Sequence, residues 1–170
     1  QNAQVAGLAL LPGALGYAFM AIVSGRLYDR YGAKLPIMIG LSLMMVGTLC
    51  MAILPLSVAN MTLSFMIVQL GAGFWFGNNM THAVSHVAVA HQNAGNSIFS
   101  ATNNYSAAVG IALAAGVLAI FQNQAVASKA AFVAATRAGT VWMFRLDILL
   151  IVIAGSLSLW ALRVVKQRAL

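Results

Sequence analysis

Long apolar runs separated by short polar segments dominate this chain. The first run extends from about Val5 to Val23 and stops at Gly25-Arg26-Leu27-Tyr28-Asp29-Arg30-Tyr31-Gly32-Ala33-Lys34. A second runs from about Leu35 to Leu54 and is turned by Pro55. The third begins near Met61 and acquires polar positions at Asn78, Asn79, His82 and His86. A polar link, His91-Gln92-Asn93-Ala94-Gly95-Asn96, separates it from the fourth. The pattern predicts five membrane-spanning helices at about 5–24, 35–54, 61–89, 98–121 and 147–164, each close to the ~20 residues that a bilayer core requires. Gln122 to Asp147 is rich in alanine, which favours helix. With Phe132, Trp142 and Phe144 available at headgroup level, it predicts a helix on the membrane surface. Pro12, Gly13 and Gly16 weaken the first run, because proline removes a backbone hydrogen bond.

Composition agrees with that pattern. Of 170 residues 62% are hydrophobic and only 6% charged, against about 25% charged in soluble domains. The fold class expected is all-α, a polytopic membrane bundle. Nine Lys and Arg against two Asp and Glu leave a formal charge of +7. The basic residues sit between apolar runs, so they mark membrane surfaces and do not form the clustered stripe of a nucleic-acid-binding protein. Arg26, Arg30, Lys34, Arg163, Lys166 and Arg168 fall on one side, and Lys129, Arg137 and Arg145 on the other. Six against three predicts a cytoplasmic C-terminus. Cys50 stands alone, which excludes an intrachain disulfide. Gln1 enters an apolar run without a basic segment, so no signal peptide is expected and the chain reads as an excerpt of a longer one.

The most informative segment is the first polar loop. Gly25 is expected to let one helix end approach a neighbour, Gly32 to provide the backbone freedom of a tight turn, and Asp29 to accept from N–H groups at the start of the next helix. Gly25, Leu27, Asp29, Arg30, Gly32 and Lys34 resemble the signature loop of the major facilitator superfamily. That resemblance implies a cytoplasmic conformational latch formed by Gly25, Asp29, Arg30, Gly32 and Lys34. It also implies that the chain carries the second to sixth helices of a C-terminal half, with an N-terminal half as partner. Gly71-Ala72-Gly73 through His86, then Ala94-Gly95-Asn96-Ser97-Ile98, Asn103 and Gly110-Ile111-Ala112-Leu113, are similar to late helices of the fourteen-span drug:proton antiporters. The sequence departs from that family at Asn78 or Asn79, where members often have proline, and at Tyr105-Ser106-Ala107.

Polar side chains within spans are costly and often functional. At helical spacing Trp75, Asn78 or Asn79, His82 and His86 share one stripe, and Ser100, Asn103 or Asn104, Ala107 and Gly110 another. Both stripes are candidates for lining a substrate path. The alternative is interhelical hydrogen bonding. His82 and His86, four apart, have no acid or cysteine nearby to complete a metal site. They are either a protonatable pair on the transport path or a hydrogen-bonded structural pair. Gly73 with Gly77, Gly110 with Ala114 and Ala112 with Gly116 predict close helix packing.

No metal or cofactor is expected. The chain lacks a phosphate-binding Gly-x-x-x-x-Gly-Lys and any nucleophile triad, so neither an ATP-driven pump nor an enzyme is expected. Its two acids, Asp29 and Asp147, are placed at helix ends, the second as a cap or a surface pair with Arg145. The resemblance implies that the proton-coupling acid lies in the N-terminal half. The resemblance implies proton-coupled export of drugs or small amphipathic compounds by alternating access, in a bacterial plasma membrane. An uptake carrier for a small metabolite and a non-transporting scaffold remain alternatives.

Overall fold

A computed structural model describes residues 3–123 and 128–168, with side chains described for 7–123 and 128–164. Gln1, the side chains of Lys166 and Arg168, and residues 124–127 of the expected surface segment lie outside that description. Five long helices make up the described chain: α1 (Ala3–Tyr31), α2 (Lys34–Ile53), α3 (Val58–Ser85), α4 (Gln92–Asn123) and α5 (Lys129–Arg168), with a 3₁₀ turn at Val89–His91. Each contains a segment long and apolar enough to cross a membrane.

Local chemistry explains the boundaries. α1 continues through Pro12 and ends at Gly32, whose φ of 76° reverses the chain, a conformation that glycine adopts without a Cβ penalty. The Gly32 N–H donates to the Tyr28 carbonyl at 2.8 Å. α2 ends where Leu54 becomes extended ahead of Pro55, as the proline ring requires of the residue before it. Ser57 caps α3 by accepting from the Asn60 N–H at 3.2 Å, and Ser128 caps α5 by accepting from the Ala131 N–H at 3.2 Å, each satisfying an otherwise unpaired donor. At the end of α3 both the Ser85 hydroxyl and the His86 ring turn back to the His82 carbonyl. Side chains thus supply the hydrogen bonds that a further helical turn would have made.

Three boundaries differ from the sequence expectation. The polar link at His91–Asn96 is mostly helix, because Gln92 to Asn96 form the first turns of α4; the break lies earlier, after Ser85. The expected surface helix and the fifth span are one forty-residue helix. Nothing stronger than Gly139 and Gly155 interrupts it, and an isolated glycine costs a helix only ~1 kcal/mol. Asp147 consequently lies well inside α5 and not at a helix end.

The chain comprises two compact units, residues 1–79 with 147–170 and residues 80–146. In the first, the interior is made of small and polar groups. Ser24, Thr48, Ser64 and Asn78 are buried, whereas Leu8, Leu15, Ile22 and Leu157 are each at least 60% exposed. Such a surface is incompatible with water but suits lipid, where apolar side chains face outward and small residues bring the backbones together. A Cβ on Gly71 of α3 would lie 2.6 Å from the Gly40 carbonyl oxygen of α2, and one on Gly47 would lie 2.8 Å from the Val68 nitrogen. On another side of α3, Gly73 meets the Tyr17 carbonyl oxygen of α1, with 2.6 Å between that oxygen and a Cβ placed there. α3 is therefore wedged between α1 and α2. In the second unit, α5 packs on α4 through buried Gly139, next to Leu118 and Phe121. The Gln122 amide there donates to the Thr136 hydroxyl at 3.1 Å.

Candidate functional site

The loop between α1 and α2 is shorter than the motif that defines it. Gly25, Asp29 and Arg30 belong to the last two turns of α1, Gly32 and Ala33 alone form the connection, and Lys34 opens α2. This geometry corrects the role expected of Asp29. The residue before α2 is Ala33, with no side-chain cap, and Asp29 is exposed inside α1 with no ion pair among the described residues. It lies on the C-terminal turn of its own helix and makes no capping hydrogen bond to the start of α2 among the described residues. A carboxylate at a helix C-terminus also opposes the dipole, while Arg30 in the same turn complements it. The Arg30 guanidinium rests over the Tyr31 ring at 5.3 Å. Gly25 is exposed and a Cβ there would meet nothing within 4 Å, so it makes no close helix approach among the described residues. Gly32 performs the turn expected of it.

The stripe on α3 divides by environment. Asn78 is buried, donating from Nδ2 to the Phe74 carbonyl at 2.6 Å and to Ser24 Oγ of α1; Ser24 in turn donates to that carbonyl at 3.0 Å. Of the two roles open to Asn78, this is the interhelical one. Asn79 donates to the Trp75 carbonyl at 3.0 Å and is only part-buried. The Trp75 indole N–H is shielded from solvent and has no hydrogen-bond partner among the described residues. A shielded donor without an acceptor costs about 1–3 kcal/mol.

In the second unit His82 and His86 stack edge to face with ring centroids 4.5 Å apart. His86 Nδ1 lies 2.7 Å from the His82 carbonyl oxygen. A carbonyl only accepts, so His86 Nδ1 is the donor in this contact. His82 Nε2 is shielded and without a partner among the described residues. No group of three or more His, Cys, Asp or Glu side chains able to hold a metal occurs among the described residues. Asn103 and Asn104 are exposed on α4 and make no side-chain hydrogen bond among the described residues.

Two further expectations change. Asp147 makes no ion pair with Arg145 among the described residues; the Arg145 guanidinium sits over the Trp142 ring at 5.2 Å, one turn earlier on α5. Gly77, Gly110 and Gly116 are open, with nothing within 4 Å of a Cβ, so of the predicted small-residue pairs only Gly73 makes a close approach among these glycines. The tight α2–α3 contact falls instead on Gly40, Gly47 and Gly71. Its signal was present in the sequence: Gly40 and Gly47, like Ser64 and Gly71, are seven residues apart, which returns to one face after about two turns. Nothing local predicted the Ser24–Asn78 pairing, whose members are 54 residues apart.

Five helices long and apolar enough to cross a membrane, with buried polar groups in the first unit, define an integral membrane protein. The family model described as Major Facilitator Superfamily matches residues 1–169. The chain belongs to that superfamily of membrane transporters, whose members move small molecules across a lipid bilayer. No curated protein and no solved structure matches it significantly.

Proposed function

We propose that this chain is part of the C-terminal bundle of a proton-coupled exporter of drugs or other small amphipathic compounds. The observation that carries the reading is the α1–α2 turn, where Gly32 at φ 76° joins helices bearing Gly25, Asp29, Arg30 and Lys34. The resemblance of α3 and α4 to late helices of drug:proton antiporters supports the choice of substrate class. An N-terminal bundle rocks against this one, with substrate bound near the midplane. The candidate path residues are Trp75 and Asn79 in the first unit and, separately, His82 and His86 of α3 and Asn103 and Asn104 of α4 in the second. The positive-charge count supports a cytoplasmic C-terminus and, with it, a cytoplasmic α1–α2 latch; the resemblance supports a bacterial plasma membrane.

The test is proton movement in vesicles containing the complete transporter. Adding a lipophilic cation such as ethidium drives counterflow of protons if the reading is right; substrate flux with no proton movement refutes antiport. Asp29→Asn is expected to slow transport severalfold with the protein still in the membrane, and unaltered turnover overturns the latch assignment.

A further inference from the structure

Of the two acids in the chain, Asp29 sits in the last turns of α1 and Asp147 well inside α5. From Ile148 to Leu162 α5 carries no charged residue, and Arg163 closes that run. With Arg163 at one membrane surface, the ~20 residues of a bilayer core reach back to about Met143. Asp147 is 16 residues before Arg163, about 24 Å along the helix at ~1.5 Å per residue. It therefore lies inside the apolar core, near the opposite boundary.

Its surroundings leave the charge uncompensated. The Arg145 guanidinium turns away to the Trp142 ring at 5.2 Å, towards the nearer membrane surface, as long basic side chains do at the ends of spans. Aspartate has a single methylene and keeps its carboxyl at the depth of its own backbone. The face it occupies is set by packing. Ile151, Ala154, Ser158 and Leu162 form a half-buried stripe, whereas Leu149, Leu150, Ile153 and Leu157 are exposed. On the half-buried side a Cβ at Gly155 would lie 3.5 Å from the Leu41 side chain of α2. Asp147, one turn before Ile151, continues that stripe and is itself exposed. Its carboxyl is thus open, and set away from the face that α5 turns to lipid.

No other element of the first unit supplies a counter-charge. The titratable residues of α2 are Cys50 and Lys34. As second and fifth crossings α2 and α5 are antiparallel, so Lys34 lies beyond the Gly155–Leu41 contact on the side away from Asp147. In α1 the charged residues Arg26, Asp29 and Arg30 share that end, and the rest are tyrosines; α3 has no titratable residue before His82. An acid placed in this way either keeps a costly charge within the membrane or takes up a proton and becomes neutral.

We propose that Asp147 is a reversible proton-binding site within the membrane, and that its proton is one of those exchanged for substrate. The inference rests on the antiport reading above and adds an acid to this bundle, whereas the resemblance implies one in the N-terminal half. The carboxylate gains one proton from water on one side of the membrane and, as the carboxylic acid, returns it to water on the other while substrate moves the opposite way.

The experiment compares wild type and Asp147→Asn in the complete transporter. Infrared difference spectra between acid and neutral pH read the carboxyl directly, and vesicles read ethidium-driven proton movement and gradient-free exchange of labelled ethidium. Asp147→Asn is expected to remove a protonated-carboxyl band and to lower proton movement at least about tenfold, with exchange reduced less than about threefold. Asp147→Glu is expected to restore proton movement and to displace the band. An unchanged band or unchanged proton movement in Asp147→Asn overturns the proposal. Equal loss of exchange and proton movement also overturns it, since a merely structural role lowers both. Where Asp147→Asn does not fold, an undisplaced band in Asp147→Glu overturns the site. Wild-type protein that exchanges ethidium without moving protons refutes antiport itself, whereas proton movement that survives in Asp147→Asn refutes Asp147 alone.

Discussion

Substituting alanine for glycine at two positions of α3 tests whether close backbone contact holds the first unit together. At Gly71 a Cβ would lie 2.6 Å from the Gly40 carbonyl oxygen and 2.7 Å from the Met44 nitrogen. Both are backbone atoms and cannot rotate away. Restoring ordinary contact at 3.4 Å requires α2 and α3 to separate by 3.4 − 2.6 = 0.8 Å. Overpacking of this kind costs about 1–3 kcal/mol. At Gly77, six residues further along the same helix, a Cβ meets nothing within 4 Å. Alanine gains about 1 kcal/mol of helix propensity over glycine at either site. That gain cancels in the comparison, leaving Gly71→Ala about 1–3 kcal/mol less stable than Gly77→Ala. Reversible unfolding of the protein in bicelles, followed by tryptophan fluorescence, measures the difference. If Gly71→Ala is as stable as Gly77→Ala, the glycine contact is not what brings α2 and α3 together.

The Ser24–Asn78 pair joins α1 to α3, so a double-mutant cycle with Ser24→Ala and Asn78→Leu should give a coupling of about 0.6 kcal/mol, the usual size for such bonds between membrane helices; strictly additive effects in the same unfolding assay would remove the pair from the interface. Gly32→Ala places a Cβ on a residue with φ 76° and is expected to destabilise the protein by about 1–2 kcal/mol, whereas Gly25→Ala, in open helix, should be neutral or slightly stabilising. Equal stability of these two variants would show that the turn tolerates a different backbone path.

The class of fold and the five helices long enough to cross a membrane were legible in the apolar pattern alone, because that signal is thermodynamic and local. A run of about 20 apolar residues has few alternatives to crossing the membrane as a helix. The sequence also marked the Gly32 turn, since the backbone conformation required there is one that few other residues adopt. Which polar residues are structural and which glycines are in contact depends on how the helices pack. Asn78 and Asn79 are neighbours in sequence and equally polar, yet one is buried against Ser24 and the other is left part-buried beside Trp75. Their difference is a rotation of about 100° around α3, since 3.6 residues make a full turn. What fills each side of that helix is a property of residues more than fifty positions away. Gly71 and Gly77 differ for the same reason: both favour close packing, but among the described residues a Cβ meets another helix at Gly71 and nothing within 4 Å at Gly77. Asp147 shows the converse limit. Its charge suggested the end of a helix, but alanine-rich and apolar sequence on both sides carried α5 straight through it, because one carboxylate weighs little against forty residues of continuous backbone hydrogen bonding.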